Sequence, residues 1–162
     1  MRKVKPPINE NYENDYGTTD YKDKTVLDIG ADYGSTAYFF LQKGAKKVIA
    51  VEGDADLCIK LLENVSADHR VSPVLVWIDS YKTMSRLIRI FKPDITKADC
   101  EGCEIYFKYV PDDVLRICPE YMVETHGDTT WFDLRDKFSR AGFKLKSIRE
   151  WTRQVRLCHW VK

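Results

Sequence analysis

Short apolar runs alternate with stretches of helical spacing along most of the chain, and this alternation predicts an α/β fold. "TVLDIG" (25–30) reads as a buried strand, an unbroken apolar run ending on glycine. A helix follows from about Ser35 to Lys43 and stops at Gly44, because glycine accepts the left-handed backbone that ends a helix. "KVIAVE" (47–52) is the second strand. Asp54 is placed to cap a helix carrying Leu57, Leu61, Leu62 and Val65 on one side. "VSPVLVWI" (71–78) is the third strand, and a short helix "TMSRLIRIF" (83–91) leads to the fourth, "DITKADC" (94–100). "EYMVETH" (120–126) is the fifth strand, and "WFDLRDKFSRAG" (131–142) predicts a helix ending on glycine. The last twenty residues read as two strands around a turn near Trp151 to Gln154, an antiparallel hairpin.

Strands separated by helices imply a parallel sheet with helices on both faces, doubly wound and Rossmann-like; the closing hairpin adds one antiparallel strand. Residues 1–22, with Pro6-Pro7 and Tyr12, Tyr16 and Tyr21, lack periodicity and read as an irregular arm. Residues 23–162 then form one domain, which suits a chain of 162 residues. The 26 basic and 25 acidic residues give no global field that would mark a nucleic-acid or membrane binder. No apolar run suits a signal peptide or a membrane span, so the expectation is a cytoplasmic protein without a membrane partner. Five cysteines form an odd set, and reduced thiols are expected for them. Cys100 and Cys103 make a CxxC with no second pair to complete a zinc site, so no metal is expected.

Open parallel sheets bind ligands outside the carboxyl ends of their strands, so the polar residues there are the candidates for a site. Asp28 lies within the first strand, and Glu52, Asp79 and Asp99 mark the ends of the next three. A row of carboxylates at one edge is costly to desolvate and points to a site rather than a core. The first turn reads Asp28-x-Gly30-x-x-x-Gly34: the middle glycine of a dinucleotide fingerprint and the Lys-Ser/Thr of a P-loop are both missing. A turn with no phosphate cradle, flanked by Asp28 and Asp32, suits a ligand with a positive end. S-adenosylmethionine is such a ligand, through its ammonium and sulfonium. Glu52 then accepts from the ribose hydroxyls, and Asp79 from the adenine amino group.

"VLDIGADYG", "GAKKVIAVEGD" and "KADCEGCE" together resemble the class I S-adenosylmethionine-dependent methyltransferases, most closely the FkbM type. Members of that type read DIGANxG, a VEP-like strand end, and K-x-D-x-EG-x-E, matched here by Lys97, Asp99, Glu101, Gly102 and Glu104. The resemblance spans about residues 18–161 and implies a seven-stranded sheet with its last strand antiparallel. It also implies methyl transfer, commonly to an oxygen of a sugar-like or other small acceptor. The cofactor-binding set becomes Asp28, Gly30, Ala31, Asp32, Gly34, Ser35, Glu52, Gly53, Asp79, Ser80 and Asp99. Asp32 stands where the family usually has Asn, and Gly53 where proline is usual.

An oxygen acceptor needs a group to take its proton, and Asp99, Glu101 and His126 are the candidates. His126 closes the fifth strand with a suitable unperturbed pKa. Two other readings stand beside this one. A cofactor-binding module that lacks catalysis, or needs a partner, fits the short connection between the third and fourth strands. An RNA methyltransferase docking through the basic C-terminal part would bind nucleic acid, although no Asp/Asn-Pro-Pro-aromatic tetrad follows the fourth strand. Acceptor identity and oligomeric state are not written in the sequence.

Overall fold

A computed structural model describes residues 11–162. Counted along the chain, its strands lie in the order 3-2-1-4-5-7-6 in a seven-stranded sheet. Two compact units divide the chain, one reaching Trp77 and one running from Ile78 to Lys162.

The first unit holds α1 (Tyr12–Tyr16), β1 (Thr25–Ile29), α2 (Ser35–Gln42), β2 (Lys47–Glu52), α3 (Ala55–Val65) and β3 (Val71–Leu75). The β1–β2 and β2–β3 pairs are parallel, with Leu27 opposite Ile49 and Glu52 opposite Leu75. The apolar runs of β1 and β2 are almost wholly buried, as strands covered on both faces should be. Asp54 caps α3 as expected, its carboxylate accepting from the N–H groups of Asp56 and Leu57 at 2.9 Å. The third strand is shorter than the sequence predicts and stops at Leu75, because its partner β2 ends at Glu52 and offers no further ladder.

Of the predicted irregular arm, residues 1–10 lie outside the described residues, and Tyr12–Tyr16 is helical instead. The three tyrosines are core groups. Tyr12, Tyr16 and Tyr21 are buried against Phe39 and Phe40 of α2, with ring centroids 5.0–6.2 Å apart, and the Tyr21 hydroxyl donates to the Tyr16 carbonyl. Aromatic edges and faces packed in this way offset the entropy of fixing the segment.

The second unit holds α4 (Tyr81–Phe91), β4 (Ile95–Ala98), a 3₁₀ helix (Cys103–Tyr109), α5 (Asp112–Leu115), β5 (Glu120–His126), α6 (Asp128–Arg140), β6 (Lys144–Glu150) and β7 (Val155–Val161). β4 and β5 are parallel, while β7 runs antiparallel to both β5 and β6. The predicted hairpin is therefore present. Two helix starts lie earlier than the apolar spacing placed them. α4 begins at Tyr81, because the Ser80 side chain accepts from the Thr83 N–H and caps it. α6 begins at Asp128, directly after Gly127 turns the chain at φ 82°. The 3₁₀ helix and α5 are absent from the sequence pattern, since their mixed charged and aromatic residues carry no clean period. Phe107, Tyr121, Phe138, Phe143 and Trp160 form this unit's core, with Phe138 stacked on Trp160 at 4.4 Å.

No helix among the described residues is long and apolar enough to cross a membrane. The expectation of uniformly reduced cysteines fails at one place: Cys100 and Cys103 are joined by a disulfide. A CxxC brings two thiols within one turn of chain, and here the left-handed Glu101 and Gly102 between them turn the backbone back. Cys58, Cys118 and Cys158 are buried free thiols, and burial pushes the last two up to about 12, leaving them inert.

Candidate functional site

In the first unit the predicted turn residues converge on one carboxylate. Glu52 closes β2, where the strand pleat and the start of the next loop leave its side chain beside the β1 turn. Its Oε2 accepts from the Asp32 N–H at 2.9 Å, and its Oε1 accepts from the N–H groups of Gly53 (2.7 Å) and Asp54 (2.9 Å). The turn itself is anchored to β2, since the N–H groups of Gly30 and Ala31 both donate to the Val51 carbonyl. Gly30, Asp32 and Gly34 adopt left-handed backbone, with φ of 75°, 47° and 90°. Gly34 is constrained twice: a Cβ there would also lie 2.8 Å from Leu61 Cδ1 of α3. Ser35 opens α2 and is buried.

Asp28 is placed differently from its neighbours. It is fully buried, and its Oδ2 accepts from Thr36 Oγ1 at 2.6 Å, which ties the end of β1 to the start of α2. Gly53 has a partner that the sequence did not disclose. Trp77 lies against it so closely that a Cβ on Gly53 would fall 2.7 Å from the indole Cε3, while 72% of Trp77 remains exposed. A glycine at position 53 thus leaves room for this exposed indole. Glu52 also helps burial to raise the Cys58 thiol above its usual range.

The second unit carries two groups of predicted residues. At the start of α4 the exposed Asp79 carboxylate accepts from Thr83 Oγ1 (2.8 Å) and Ser80 Oγ (3.0 Å), and these hydrogen bonds lower its pKa. Asp79 is four residues beyond the end of β3, so it belongs to the cap of α4 rather than to a strand end.

Beyond β4 and β5 the sequence set Asp99, Glu101 and His126, and the structure brings these together with two acids that sequence reasoning left without a role, Glu104 and Glu124. His126 Nδ1 lies 3.0 Å from Glu104 Oε1, and its Nε2 lies 3.2 Å from Glu124 Oε1 and 3.6 Å from Glu101 Oε2. Glu104 is 2% exposed; it also accepts from the Gly102 N–H at 2.8 Å and the His126 N–H at 3.3 Å. Asp99 hydrogen-bonds Glu124, and the buried Lys97 places its Nζ 3.8 Å from Asp99 Oδ2. Both missed acids had a signal. Glu104 ends the E-G-x-E motif, and Glu124 stands two residues before His126, hence on the same face of the strand.

The electrostatics follow from burial and crowding. Burial, the adjacent Asp99 charge and the Asp99 hydrogen bond push Glu124 up to about 8, against a smaller opposing pull from His126. For His126, desolvation acts downward, but the Glu104 hydrogen bond and the charges of Glu104, Glu124 and Glu101 outweigh it and raise its pKa. Among the described residues no group of three or more His, Cys, Asp or Glu is arranged to hold a metal ion. The other two histidines are elsewhere: His159 pairs with Glu120 at 2.7 Å, and His69 lies on an exposed loop. Trp131 stacks on Trp160 at 6.2 Å.

No protein-family model matches the chain. It is 34% identical over 127 residues to the uncharacterized protein 158B of Sulfolobus islandicus rod-shaped virus 1, a match covering 78% of this chain and 76% of that protein. It is 30% identical over 118 residues to the uncharacterized protein 65 of Sulfolobus islandicus filamentous virus, covering 71% and 67%. The chain belongs to the family of these viral proteins. Solved structures of the same architecture include Aeropyrum pernix fibrillarin in complex with natively bound S-adenosyl-L-methionine. It superposes with a TM-score of 0.63 at 14% identity, over 86% of this chain and 67% of that one. Precorrin-6y C5,15-methyltransferase from Geobacter metallireducens superposes with a TM-score of 0.66 at 14% identity, over 87% and 81%. The likeness is one of fold. This member of the viral family has the Rossmann-like fold of class I methyltransferases.

Proposed function

We propose that the chain binds S-adenosylmethionine and transfers its methyl group to an oxygen of a small or sugar-like acceptor, as an FkbM-type enzyme. The observation that carries this reading is the Glu52 carboxylate, held by three backbone N–H groups at a glycine turn without a phosphate cradle. An ionised carboxylate accepts about four hydrogen bonds, so Glu52 keeps capacity on Oε2 for a sugar hydroxyl. The exposed Trp77 indole beside Gly53 gives an aromatic face on which a purine stacks. Asp32 and the N-terminus of α2, with Gly34 and Ser35, are assigned to the amino-acid end of the cofactor. The FkbM assignment rests on Lys97, Asp99, Glu101, Gly102 and Glu104, which the second unit uses as a buried cation, a cluster of acids and a turn.

When bound, the cofactor supplies a methyl group already activated on a positive sulfur. The protein's share is then to orient the acceptor, exclude water and take the proton that the acceptor oxygen loses. Asp99 and His126 are the groups assigned to that proton. Incubating the protein with radiolabelled cofactor and a panel of hydroxyl-bearing acceptors tests the reading. Label is expected in an oxygen-linked methyl, with loss of about a hundredfold in rate for His126→Ala. Cofactor binding without transfer to any acceptor would favour the non-catalytic module instead. Transfer confined to RNA would identify the acceptor as nucleic acid.

A further inference from the structure

Glu104 is the most deeply buried acid of the second unit's cluster, yet it has no acceptor-facing role in a simple one-base scheme. A carboxylate 2% exposed must be paid for by its partners, and here those partners are specific. One oxygen takes the Gly102 N–H; the other takes the His126 main-chain N–H and faces Nδ1 of the same residue. Backbone donors on both oxygens fix the plane of Glu104 and set it as an acceptor, so Nδ1 is the donor in the pair. The neutral imidazole therefore carries its proton on Nδ1, and Nε2 presents a lone pair to Glu124 Oε1 at 3.2 Å. Glu124 is itself 8% exposed and hydrogen-bonded to Asp99. Two carboxyl groups in hydrogen-bond contact share a proton rather than ionise together.

We propose that Asp99, Glu124, His126 and Glu104 form one proton relay, in which Nε2 of His126 is the final acceptor and Glu104 is its positioning residue. This deepens the methyl-transfer reading and rests on it for the source of the proton, the acceptor's O–H. That proton passes to the Asp99–Glu124 pair as the proton already shared there moves to Nε2. The carboxyl pair ends as it began, and the net change is one proton moved from the acceptor to His126. The resulting imidazolium lies between Glu104 and Glu124, and the 85% exposed side chain of Glu101 beside Nε2 gives it a route to water. The buried Lys97 places its Nζ 3.8 Å from Asp99 Oδ2, on the Asp99 end of the relay. From β7 the residue opposite His126 is the uncharged Val155, and the nearby Arg156 is engaged with Glu150 and Asp128. Raised pKa values for both Glu124 and His126 agree with a chain that holds one proton near neutrality.

Nitrogen-detected NMR of His126 in the cofactor-free protein tests the relay without requiring any transferase activity. Neutral His126 is expected as the Nδ1–H tautomer, titrating above the ordinary histidine value of about 6.5. Glu104→Gln is expected to lower that titration and, in the transfer assay, to reduce kcat about a hundredfold with little change in KM. Glu104→Asp should restore part of both. An Nε2–H tautomer in the wild-type protein, or a His126 titration unmoved by Glu104→Gln, would overturn the relay. If Glu104→Gln fails to fold, the wild-type tautomer and a Glu124→Gln variant, expected to shift the His126 titration, decide the matter. A correct NMR signature with no methyl transfer would leave the relay standing and sink the functional reading.

Discussion

The two units treat their carboxylates in opposite ways. Glu52 is fixed by main-chain N–H groups of Asp32, Gly53 and Asp54, donors that do not titrate. Glu124 is fixed by an imidazole and another carboxyl group, partners whose charge depends on pH, while Glu104 divides its oxygens between main-chain N–H groups and that same imidazole. A carboxylate held by backbone is suited to binding, because the donors that fix its position do not titrate. A carboxylate held by titratable side chains is a proton-handling group. On the proposed reading, holding a ligand and moving a proton fall to different carboxylates, and that separation can be attacked from either side.

The largest effects should come from exchanging the targets. Glu52→Ala is expected to weaken cofactor binding about a hundredfold, because it removes charged hydrogen bonds to the ligand and loosens the turn. It should leave the His126 titration unmoved. Glu104→Gln should do the reverse. If either variant changed both readouts equally, the division of labour would be wrong.

A second difference lies in pH dependence. Glu124, normally near 4.5, is pushed up to about 8 in the native state, chiefly by burial and then by Asp99. Between those values the native chain binds the extra proton, so its stability falls as pH rises. The contribution is complete below pH 4.5 and gone once pH passes about 8. His126, also raised, acts in the same sense. Urea unfolding across this range should show a declining midpoint in the wild type and a flatter one in Glu124→Gln. A wild-type midpoint that rises with pH would contradict the burial of a protonated Glu124.

The smallest effect concerns the loop between the acids. Closing a short loop, the Cys100–Cys103 disulfide contributes about 2 kcal/mol by chain entropy. Replacing both cysteines by serine should lower the unfolding midpoint accordingly and leave cofactor affinity untouched, since neither cysteine is among the residues assigned to the cofactor. A large loss of affinity would mean the two functions are not separable.

How much of this could be read from the sequence follows the same divide. Main-chain geometry leaves strong marks: the D-x-G-x-x-x-G turn and the terminal acid of "KVIAVE" located Glu52 and its turn, because glycine and strand-end positions are dictated by backbone sterics. The parallel core and the closing hairpin were legible for that reason too. Side-chain constellations leave weaker marks. Glu104 and His126 are 22 residues apart and meet only after a 3₁₀ helix that has no sequence period. Trp77 beside Gly53 was hidden inside what reads as strand, and becomes exposed because β2 ends first. The tyrosines of the N-terminal segment carry no such mark, because burial against Phe39 and Phe40 is a tertiary contact with no local pattern.

Calorimetric titration of the purified chain with S-adenosylmethionine tests the central claim most directly. The account predicts saturable binding of one cofactor per chain, weakened about a hundredfold by Glu52→Ala. Absence of binding, or an affinity indifferent to Glu52, would contradict it.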